Sequence, residues 1–498
     1  MNMSIGGLDI GSTGAKLTVM DEKGTVLHSG YQAYPVSRRQ AAHELHPDDV
    51  WHAARSLLKE AAAAVPGFQA VGITSFGESF VLLDEADRVL MPAMLYTDPR
   101  GEAQAVQLEE MLGGDAVAAI CGTLPHPMFS LPKLIWVREE RPDLFTRAHR
   151  VCLMADYVAY MLTGNHIIDY SLAARTMALD INRLCWSEAM LSTAGVDAGL
   201  FGQPVPSGTL AGTVRPHIAE DLGLPSSFQV VLCGHDQIAA AAGSGVLAAG
   251  KAANGAGTVE CITPVFSGIP GGNLLQRASY AVIPFPGDNL YCCYAFSFAG
   301  GSLVRWFLDE LALGPASAAR ARGHSVYATL EGGAPDQPTG ILVLPHFAGA
   351  GTPYMDTGAK GALLGLTLTH TTADLYRAVL EGIAYEDAVN LEALSAAGVR
   401  TDILCACGGG ARSATWLQMK ADILGIPVTR MAIEEAGTVG SVMFTGVASG
   451  LYASLEDAAN ALVKPLHTYE PRTAQHAAYQ EHYARYRRAY NAMRPLMA

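Results

Sequence analysis

Short apolar segments of the strand type alternate along this chain with longer segments whose apolar residues recur every three or four positions. The alternation predicts strands at residues 69–74, 81–84, 89–95, 230–233 and 403–406. It predicts helices at residues 51–64, 103–112, 131–140, 155–162, 301–311, 372–396, 414–424 and 473–493. This alternation is typical of an α/β fold. We expect the tyrosine-rich final helix to pack on the surface.

The first apolar strand runs into Asp9, turns through Gly11-Ser12-Thr13-Gly14 and leaves as a second strand at residues 16–20. A carboxylate at a strand end can hold a metal ion, usually through water. Small turn residues let backbone N–H groups and hydroxyls approach a phosphate. Because the turn leads into a strand, it is neither a P-loop nor a dinucleotide fingerprint, both of which open a helix. An ordinary glycine-rich hairpin is the alternative.

A related hairpin returns about half a chain length later. Its turn carries Gly255, Gly257 and Thr258, and a strand is predicted at residues 259–265. A hairpin repeated at this distance indicates two similar domains that face each other, each with one phosphate loop in a shared cleft. We place the domains at residues 1–246 and 247–498. The Ala/Gly-rich residues 239–250 are expected to form a helix that crosses between them.

One further glycine-rich turn, Gly408-Gly409-Gly410, lies between the strand at residues 403–406 and the helix at residues 414–424. A strand, glycines and a helix in this order suit a nucleotide whose ring or ribose lies against bare backbone.

The segment Gly234-His235-Asp236-Gln237 follows a predicted strand, and ligands of α/β folds gather at that end of the strands. Asp236 is suited to accept a hydroxyl proton while a phosphoryl group is transferred. The alternative is that Asp236 is the N-cap of the following helix. His235 is expected to be structural or to hydrogen-bond a substrate.

Composition narrows the class of protein. Half of the residues are apolar and 16% are charged, which indicates a folded chain. A net charge of −14 argues against a nucleic-acid partner. Nine scattered cysteines are typical of reduced cytosolic thiols. The sequence shows neither a signal peptide nor an apolar run of membrane-spanning length, so we expect a cytoplasmic protein with no membrane partner.

Taken together, the motifs resemble the FGGY family of carbohydrate kinases, members of the actin–hexokinase–chaperone ATPase superfamily. The resemblance covers about residues 5–490. The matching blocks are Leu8-Asp9-Ile10-Gly11-Ser12-Thr13, Glu44-Leu45-His46-Pro47 with Trp51, Asp98-Pro99-Arg100, Pro132-Lys133-Leu134-Ile135-Trp136, Asp169-Tyr170-Ser171, Gly257-Thr258, Gly300-Gly301-Ser302, Glu381-Gly382 and Gly408-Gly409-Gly410-Ala411-Arg412-Ser413. The resemblance implies two ribonuclease-H-like (actin-like) domains across a cleft and ATP-dependent phosphorylation of a sugar hydroxyl.

The resemblance also implies roles for individual residues. Asp9 would hold Mg²⁺ through water, and Asp236 would be the general base. The sugar would meet Gly77, Glu78, His235, Asp236 and Gln237. The ATP would meet Gly11, Ser12, Thr13, Lys16, Gly257, Thr258, Gly301, Arg305, Gly409, Gly410 and Ser413. We expect a homodimer.

The block Gly77-Glu78-Ser79-Phe80 bears on the substrate. Xylulose kinases carry Gln-Met-His-Gly there, and glycerol kinases carry Arg-Glu, so Gly77 stands where that arginine would be. Gly234-His235-Asp236 resembles kinases of deoxy-hexuloses such as fuculose. We expect Gly77 to leave room for a ketopentose or (deoxy)ketohexose. A polyol or glycerol-type kinase is the alternative; an ATPase without a sugar acceptor and a non-catalytic sugar-binding protein are more distant ones.

Overall fold

The computed structural model describes residues 3–39, 42–334, 336–433 and 435–497. The strands of the first half are β1 (Ser4–Ile10), β2 (Gly14–Met20), β3 (Val26–Ala33), β4 (Val36–Arg39), β5 (Ala42–Leu45), β6 (Phe68–Ser75), β7 (Phe80–Leu83), β8 (Ala93–Met94), β9 (Arg150–Leu153), β10 (Ile167–Asp169), β11 (Leu179–Asp180), β12 (Cys185–Trp186), β13 (Gln203–Val205), β14 (Thr209–Thr213) and β15 (Gln229–His235). Its helices are α1 (Pro47–Ala64), α2 (Glu102–Leu112), α3 (Gly114–Cys121), α4 (Ser130–Glu140), α5 (Pro142–Phe145), α6 (Met154–Thr163), α7 (Tyr170–Ala174), α8 (Glu188–Ala194), α9 (Pro216–Leu222) and α10 (Asp236–Gly243).

The strands of the second half are β16 (Lys251–Ala256), β17 (Glu260–Ser267), β18 (Ile283–Pro284), β19 (Leu290–Cys292), β20 (Ala295–Ser297), β21 (Leu342–Leu344), β22 (Ala362–Leu364), β23 (Ile403–Cys407), β24 (Val428–Met431) and β25 (Pro465–Tyr469). Its helices are α11 (Leu274–Arg277), α12 (Gly301–Glu310), α13 (Leu313–Ala321), α14 (Val326–Gly333), α15 (Thr372–Ala396), α16 (Ala414–Leu424), α17 (Ala436–Ala448), α18 (Leu455–Leu462) and α19 (Thr473–Met493). Short 3-10 turns lie at Ala198–Leu200, Gly271–Asn273, Gly409–Arg412 and Arg494–Leu496.

Each half is built on one large mixed sheet. The first sheet has the order β14-β15-β6-β1-β2-β3, and β1 is antiparallel to β2 and parallel to β6, which is parallel to β15. In the second sheet β16 is antiparallel to β17 and parallel to β23, which is parallel to β24. Each sheet also has an edge strand that is antiparallel to its neighbour: β14 pairs with β15 in the first sheet, and β25 pairs with β24 in the second. The repeated hairpin therefore belongs to a repeated sheet.

Strand register brings the predicted residues of the first half to one edge of the sheet. Asp9 lies beside Thr74, and Thr74 lies beside Gly234. The Thr74 hydroxyl donates to the Gly234 carbonyl oxygen at 2.7 Å. Because β1, β6 and β15 are parallel, their carboxyl ends meet at this edge, and Asp236 begins the helix that leaves it.

One helix of the second half packs on the sheet of the first half. Helix α17 lies against β1, β6 and β15 and against α10. Glycines permit the close approach, because a Cβ built at Gly440 would overlap the carbonyl oxygen of Ala239, and one at Gly7 would overlap that of Thr438. The N-terminus of α17 therefore lies over the carboxyl end of β1, where Asp9 is found.

Most predicted elements are confirmed, several to within one or two residues, and three predictions need correction. The predicted strand at residues 89–95 is wrong except for β8, since Pro92 cannot donate to a ladder. The predicted crossing helix at residues 239–250 begins earlier and ends at Gly243, and Gly245 beyond it has a φ of +78°. Helix α19 lies at the periphery as predicted, but its tyrosines are buried in the core of the second half.

Candidate active site

Asp9 ends β1 in an acidic environment. Burial, together with the nearby carboxylates of Asp236 and Glu435, raises the pKa of Asp9 to about 7, and Lys16 opposes them. A Cβ built at Gly437, in the first turn of α17, would lie 3.2 Å from Asp9 Oδ2. Asp9, Asp236 and Glu435 thus place three carboxylates near one another, and a bound cation would neutralise their charge.

The first glycine-rich turn is held in a fixed conformation. The Gly11 N–H donates to the Gly14 carbonyl at 2.9 Å, and the Tyr34 hydroxyl donates to the Gly11 carbonyl. Thr13 is exposed and Ser12 is half-buried. Lys16, on the strand that follows, places its Nζ 2.7 Å from Oε1 of Glu435. Glu435 directly precedes α17, and the sequence interpretation did not include it.

Asp236 is the first residue of α10, and its N-cap is His235, whose Nδ1 accepts from the Gln237 N–H at 3.2 Å. The alternative that Asp236 itself caps the helix is therefore wrong. The Asp236 side chain is 30% exposed, and its Oδ1 lies 2.9 Å from His235 Nδ1. The His235 ring stacks on Tyr294 at 4.9 Å, and the His235 N–H donates to Ser171 Oγ at 2.8 Å.

Glu78 is buried, with 4% of its surface exposed, at a φ of +65°. Its carboxylate pairs with the guanidinium of Arg175, which is also buried. The guanidinium carbon lies 4.9 Å from the Phe129 ring centroid and 5.5 Å from that of Tyr294. The buried carboxylate is therefore paired, and the guanidinium that pairs with it lies against two aromatic rings.

The expectation that Gly77 leaves room for a larger sugar is wrong. A Cβ built at Gly77 would lie 2.9 Å from Arg175 Cγ and 2.9 Å from His235 Cδ2. The space beside Gly77 is thus filled by protein side chains. Arg175 lies beside Glu78, so a cation from a distant segment accompanies this carboxylate although position 77 carries none.

Sequence reasoning missed three residues of this site: Arg175, Tyr294 and Glu435. Arg175 lies four residues after the block Asp169-Tyr170-Ser171, which was a signal that could have found it. Tyr294 and Glu435 had no local signal, because they reach the site from the second half of the chain.

The second phosphate loop is fastened to the start of α12. The Gly301 N–H donates to the Gly257 carbonyl at 2.8 Å, and the Gly300 and Ser302 N–H groups donate to the Thr258 carbonyl. The N–H groups of residues 300–302 are therefore engaged within the protein, and they hold the Gly257-Thr258 turn against the start of α12. Arg305 is exposed one turn further along α12.

The third glycine-rich loop packs against the second. A Cβ built at Gly410 would lie 2.5 Å from Cζ3 of Trp416 and 2.9 Å from Cβ of Ala256. At Gly409, by contrast, the space within 4 Å is open. The Ser413 hydroxyl caps α16 by accepting from the Trp416 N–H at 3.0 Å and donates to Glu331 Oε1 at 2.8 Å. The open backbone face is thus at Gly409, whereas Ser413 supports the helix.

Two repeated sheets, glycine-rich loops on both and an aspartate at the start of a central helix define a two-domain phosphotransferase of the actin-like fold. The model of the FGGY family of carbohydrate kinases matches the chain, with its N-terminal domain at residues 4–243 and its C-terminal domain at residues 278–449. The chain belongs to the FGGY family of carbohydrate kinases. It is therefore a kinase that transfers a phosphoryl group from ATP to a sugar hydroxyl.

Individual relatives agree with this assignment. The chain is 30% identical to the xylulose kinase of Escherichia coli (strain K12), over 99% of both chains. It is also 30% identical to the glycerol kinase of Methylibium petroleiphilum, over 91% of this chain and 92% of that protein. The crystal structure of the xylulose kinase from Rhodospirillum rubrum superposes with a TM-score of 0.88 at 24% identity, over 99% of both chains, and bears on the fold alone. In the described ranges, no helix combines the length and apolar character needed to cross a membrane.

Proposed function

We propose that this protein phosphorylates a hydroxyl of a ketopentose or (deoxy)ketohexose, with Asp236 as the general base. The observation that carries the proposal is the position of Asp236. It begins α10 at the strand edge that also holds Asp9, it is partly open to solvent, and it is not used as a helix cap. Phosphoryl transfer needs positioning, charge neutralisation and a group that takes the hydroxyl proton.

His235 supports Asp236 in this role. The Nδ1 of His235, which accepts from the Gln237 N–H, also lies 2.9 Å from Oδ1 of Asp236. If this nitrogen carried the proton instead, it would give up the bond from Gln237 and donate to that oxygen. Stacking on Tyr294 holds the imidazole in place, and the backbone N–H of His235 is held by Ser171 Oγ. The proposal therefore assigns His235 a share in orienting the base in addition to its expected contact with the sugar.

A magnesium ion fits the chemistry of the strand edge. The described part of the chain holds no cluster of three or more His, Cys, Asp or Glu residues that would cage a metal ion. Mg²⁺ is commonly bound through one or two carboxylates together with substrate phosphates. Asp9, whose pKa of about 7 reflects burial and neighbouring carboxylates, would hold the ion. The bound ion would neutralise charge on the transferred phosphoryl group.

The two glycine-rich turns are proposed to hold the phosphates from opposite sides, with Gly11, Ser12, Thr13 and Lys16 on one side and Gly257 and Thr258 on the other. The open face at Gly409 suits a flat ring or a ribose. Closure of the two halves would exclude water, which competes with the sugar hydroxyl as a nucleophile.

The sugar pocket is proposed to comprise Glu78, His235, Asp236 and Gln237, with Gly77 as close-packed backbone beside it. Buried carboxylates suit hydroxyl donors, and the rings of Phe129 and Tyr294 suit the C–H face of a sugar. A polyol or glycerol-type substrate is the second candidate. The Glu78–Arg175 pair favours it, because glycerol kinases carry Arg-Glu at this block and one 30% identical relative is a glycerol kinase.

The test is ADP release with Mg·ATP against ketopentoses, ordinary and deoxy ketohexoses, polyols and glycerol. Asp236→Asn is expected to lower turnover on the best acceptor by about two to four orders of magnitude, the usual effect of losing a general base. Asp221→Asn, the same change at an exposed ion pair with Arg55, is the matched control. Ordinary turnover by Asp236→Asn would overturn the assignment of the base. ADP release without any acceptor would instead indicate an ATPase.

The domain boundary after residue 246, the homodimer and the cytoplasmic location stay predictions from the sequence. Sedimentation of the purified protein measures whether it is a homodimer.

A further inference from the structure

A buried charge cluster lies in the second half of the chain and centres on Lys420. Lys420, on α16, is 0% exposed, and its ammonium pairs with Glu260 and lies 2.9 Å from Oδ2 of Asp387. It also donates to Oδ1 of Asn254 at 3.0 Å. Asn254 in turn donates to Oε1 of Glu260 at 2.7 Å, so one ammonium gathers the side chains of three separate elements.

The partners of Lys420 flank the second phosphate loop. Asn254 lies near the end of β16 and Glu260 begins β17, and the turn between these strands contains Gly257 and Thr258. Asp387 belongs to α15. The ammonium therefore holds both strands of the hairpin directly below its turn and ties them to two helices.

Lys420 also contacts the support of the other nucleotide loop. Its Nζ lies 4.8 Å from the ring centroid of Trp416. Gly410 packs on that ring so closely that a Cβ there would be 2.5 Å from Cζ3. The Lys420 ammonium therefore contacts Asn254 and Glu260, which flank the Gly257-Thr258 turn, and Trp416, which packs against the glycine loop at residues 408–410.

Stability alone gives little reason for this cluster. Removing three charged groups from water is costly, and well-packed apolar residues of similar volume often serve a fold as well or better. The neighbouring carboxylates nevertheless keep Lys420 charged, since they raise its pKa despite burial. A directional, multiply bonded ammonium fixes geometry in a way that apolar packing does not.

We propose that Lys420 is a positioning residue that sets the phosphate loop at Gly257-Thr258 and the glycine loop at residues 408–410 in register for one nucleotide. This inference rests on the proposed nucleotide site. We expect that neutralising the cluster weakens the binding of Mg·ADP and Mg·ATP and leaves sugar binding unaffected, because the polar groups proposed to hold the sugar belong to the first half.

The test is a triple variant, Lys420→Met with Glu260→Gln and Asp387→Asn, which keeps side-chain volume and leaves no unpaired buried charge. Isothermal titration with Mg·ADP is expected to show at least a tenfold weaker affinity, and the KM for ATP should rise by a similar factor. The KM for the sugar should stay within twofold of wild type. A purely structural role would instead lower thermal stability without separating the two KM values.

The matched control neutralises another buried ion pair of the same half, Arg377→Met with Glu381→Gln on α15, whose partners Tyr479 and Thr339 belong to neither loop. It is expected to leave Mg·ADP affinity within twofold of wild type. Equal weakening in this control, or unchanged Mg·ADP affinity in a folded triple variant, overturns the inference. If the triple variant does not fold, Glu260→Gln alone decides, with a threefold or greater loss of Mg·ADP affinity expected and no loss overturning it. Wild-type protein that binds no Mg·ADP overturns the proposed nucleotide site, and this inference with it.

Discussion

Replacement of Asp9 by asparagine is expected to stabilise the nucleotide-free protein while it abolishes catalysis. Asp9 has a pKa of about 7 in the folded protein against an ordinary value of 3.8, because it is buried beside Asp236 and Glu435. At 1.36 kcal/mol per pKa unit, the ionised carboxylate lowers the free energy of unfolding by about 4 kcal/mol. Because Asp9 is enclosed by protein but keeps some exposed surface, water screens part of this effect, and we expect about 2 to 4 kcal/mol to be realised.

The sign of the pH dependence follows from the raised pKa of the folded state. Below the unfolded pKa of 3.8, Asp9 is protonated in both states and contributes nothing. As pH rises toward 7, the unfolded chain releases a proton that the folded protein keeps, so the wild type loses stability relative to Asp9→Asn. The stabilising effect of Asp9→Asn should therefore be full at pH 8 and about half of that at pH 5.5.

Urea unfolding of wild type and Asp9→Asn at pH 5.5 and pH 8, without nucleotide or Mg²⁺, measures this difference. Asp221→Asn, on the surface, should show no comparable gain at either pH. In a parallel thermal scan, Mg·ADP should raise the melting temperature of wild type more than that of Asp9→Asn. A variant no more stable than wild type at pH 8, or equally stabilised at both pH values, would refute the reasoning.

Two further perturbations test other parts of the molecule. Arg175→Lys keeps the charge but loses the planar contact with Glu78 and the aromatic rings. The KM for the sugar should therefore rise by about tenfold or more, while the affinity for Mg·ADP stays unchanged. Steady-state kinetics and titration measure these two quantities, and an unaltered KM for the sugar contradicts the proposed pocket. Gly440→Ala would place a Cβ against the Ala239 carbonyl and separate α10 from α17, so unfolding should become easier by about 1 to 3 kcal/mol and turnover should fall. Gly332→Ala, inside α14 with open space around it, is the matched control and should cost no stability in urea unfolding. An equal loss of stability in both variants, or no loss in Gly440→Ala, contradicts the close packing of α10 and α17.

Local features of the fold could be predicted from the sequence. Helix α15 was predicted with both its ends, because Thr371 and Asp374 form a capping box and its apolar residues keep a helical period. The glycine-rich hairpins were predicted from their turns and flanking strands, and their repetition correctly indicated two similar sheets. These features depend on residues close together in the chain, whose preferences are local.

The tertiary structure decided which distant residues share the site. Arg175 fills the space beside Gly77, Tyr294 supports His235 from the other half, and Glu435 holds Lys16 where α17 crosses onto the first sheet. The sequence was enough to predict the central strands of both sheets, the glycine-rich loops and the family, because periodicity and turn chemistry act over a few residues. The contacts of Arg175, Tyr294 and Glu435 could not be predicted in this way, because they form only when distant segments of the chain pack together. The distances between the packed elements depend on side-chain volume and on glycines such as Gly440.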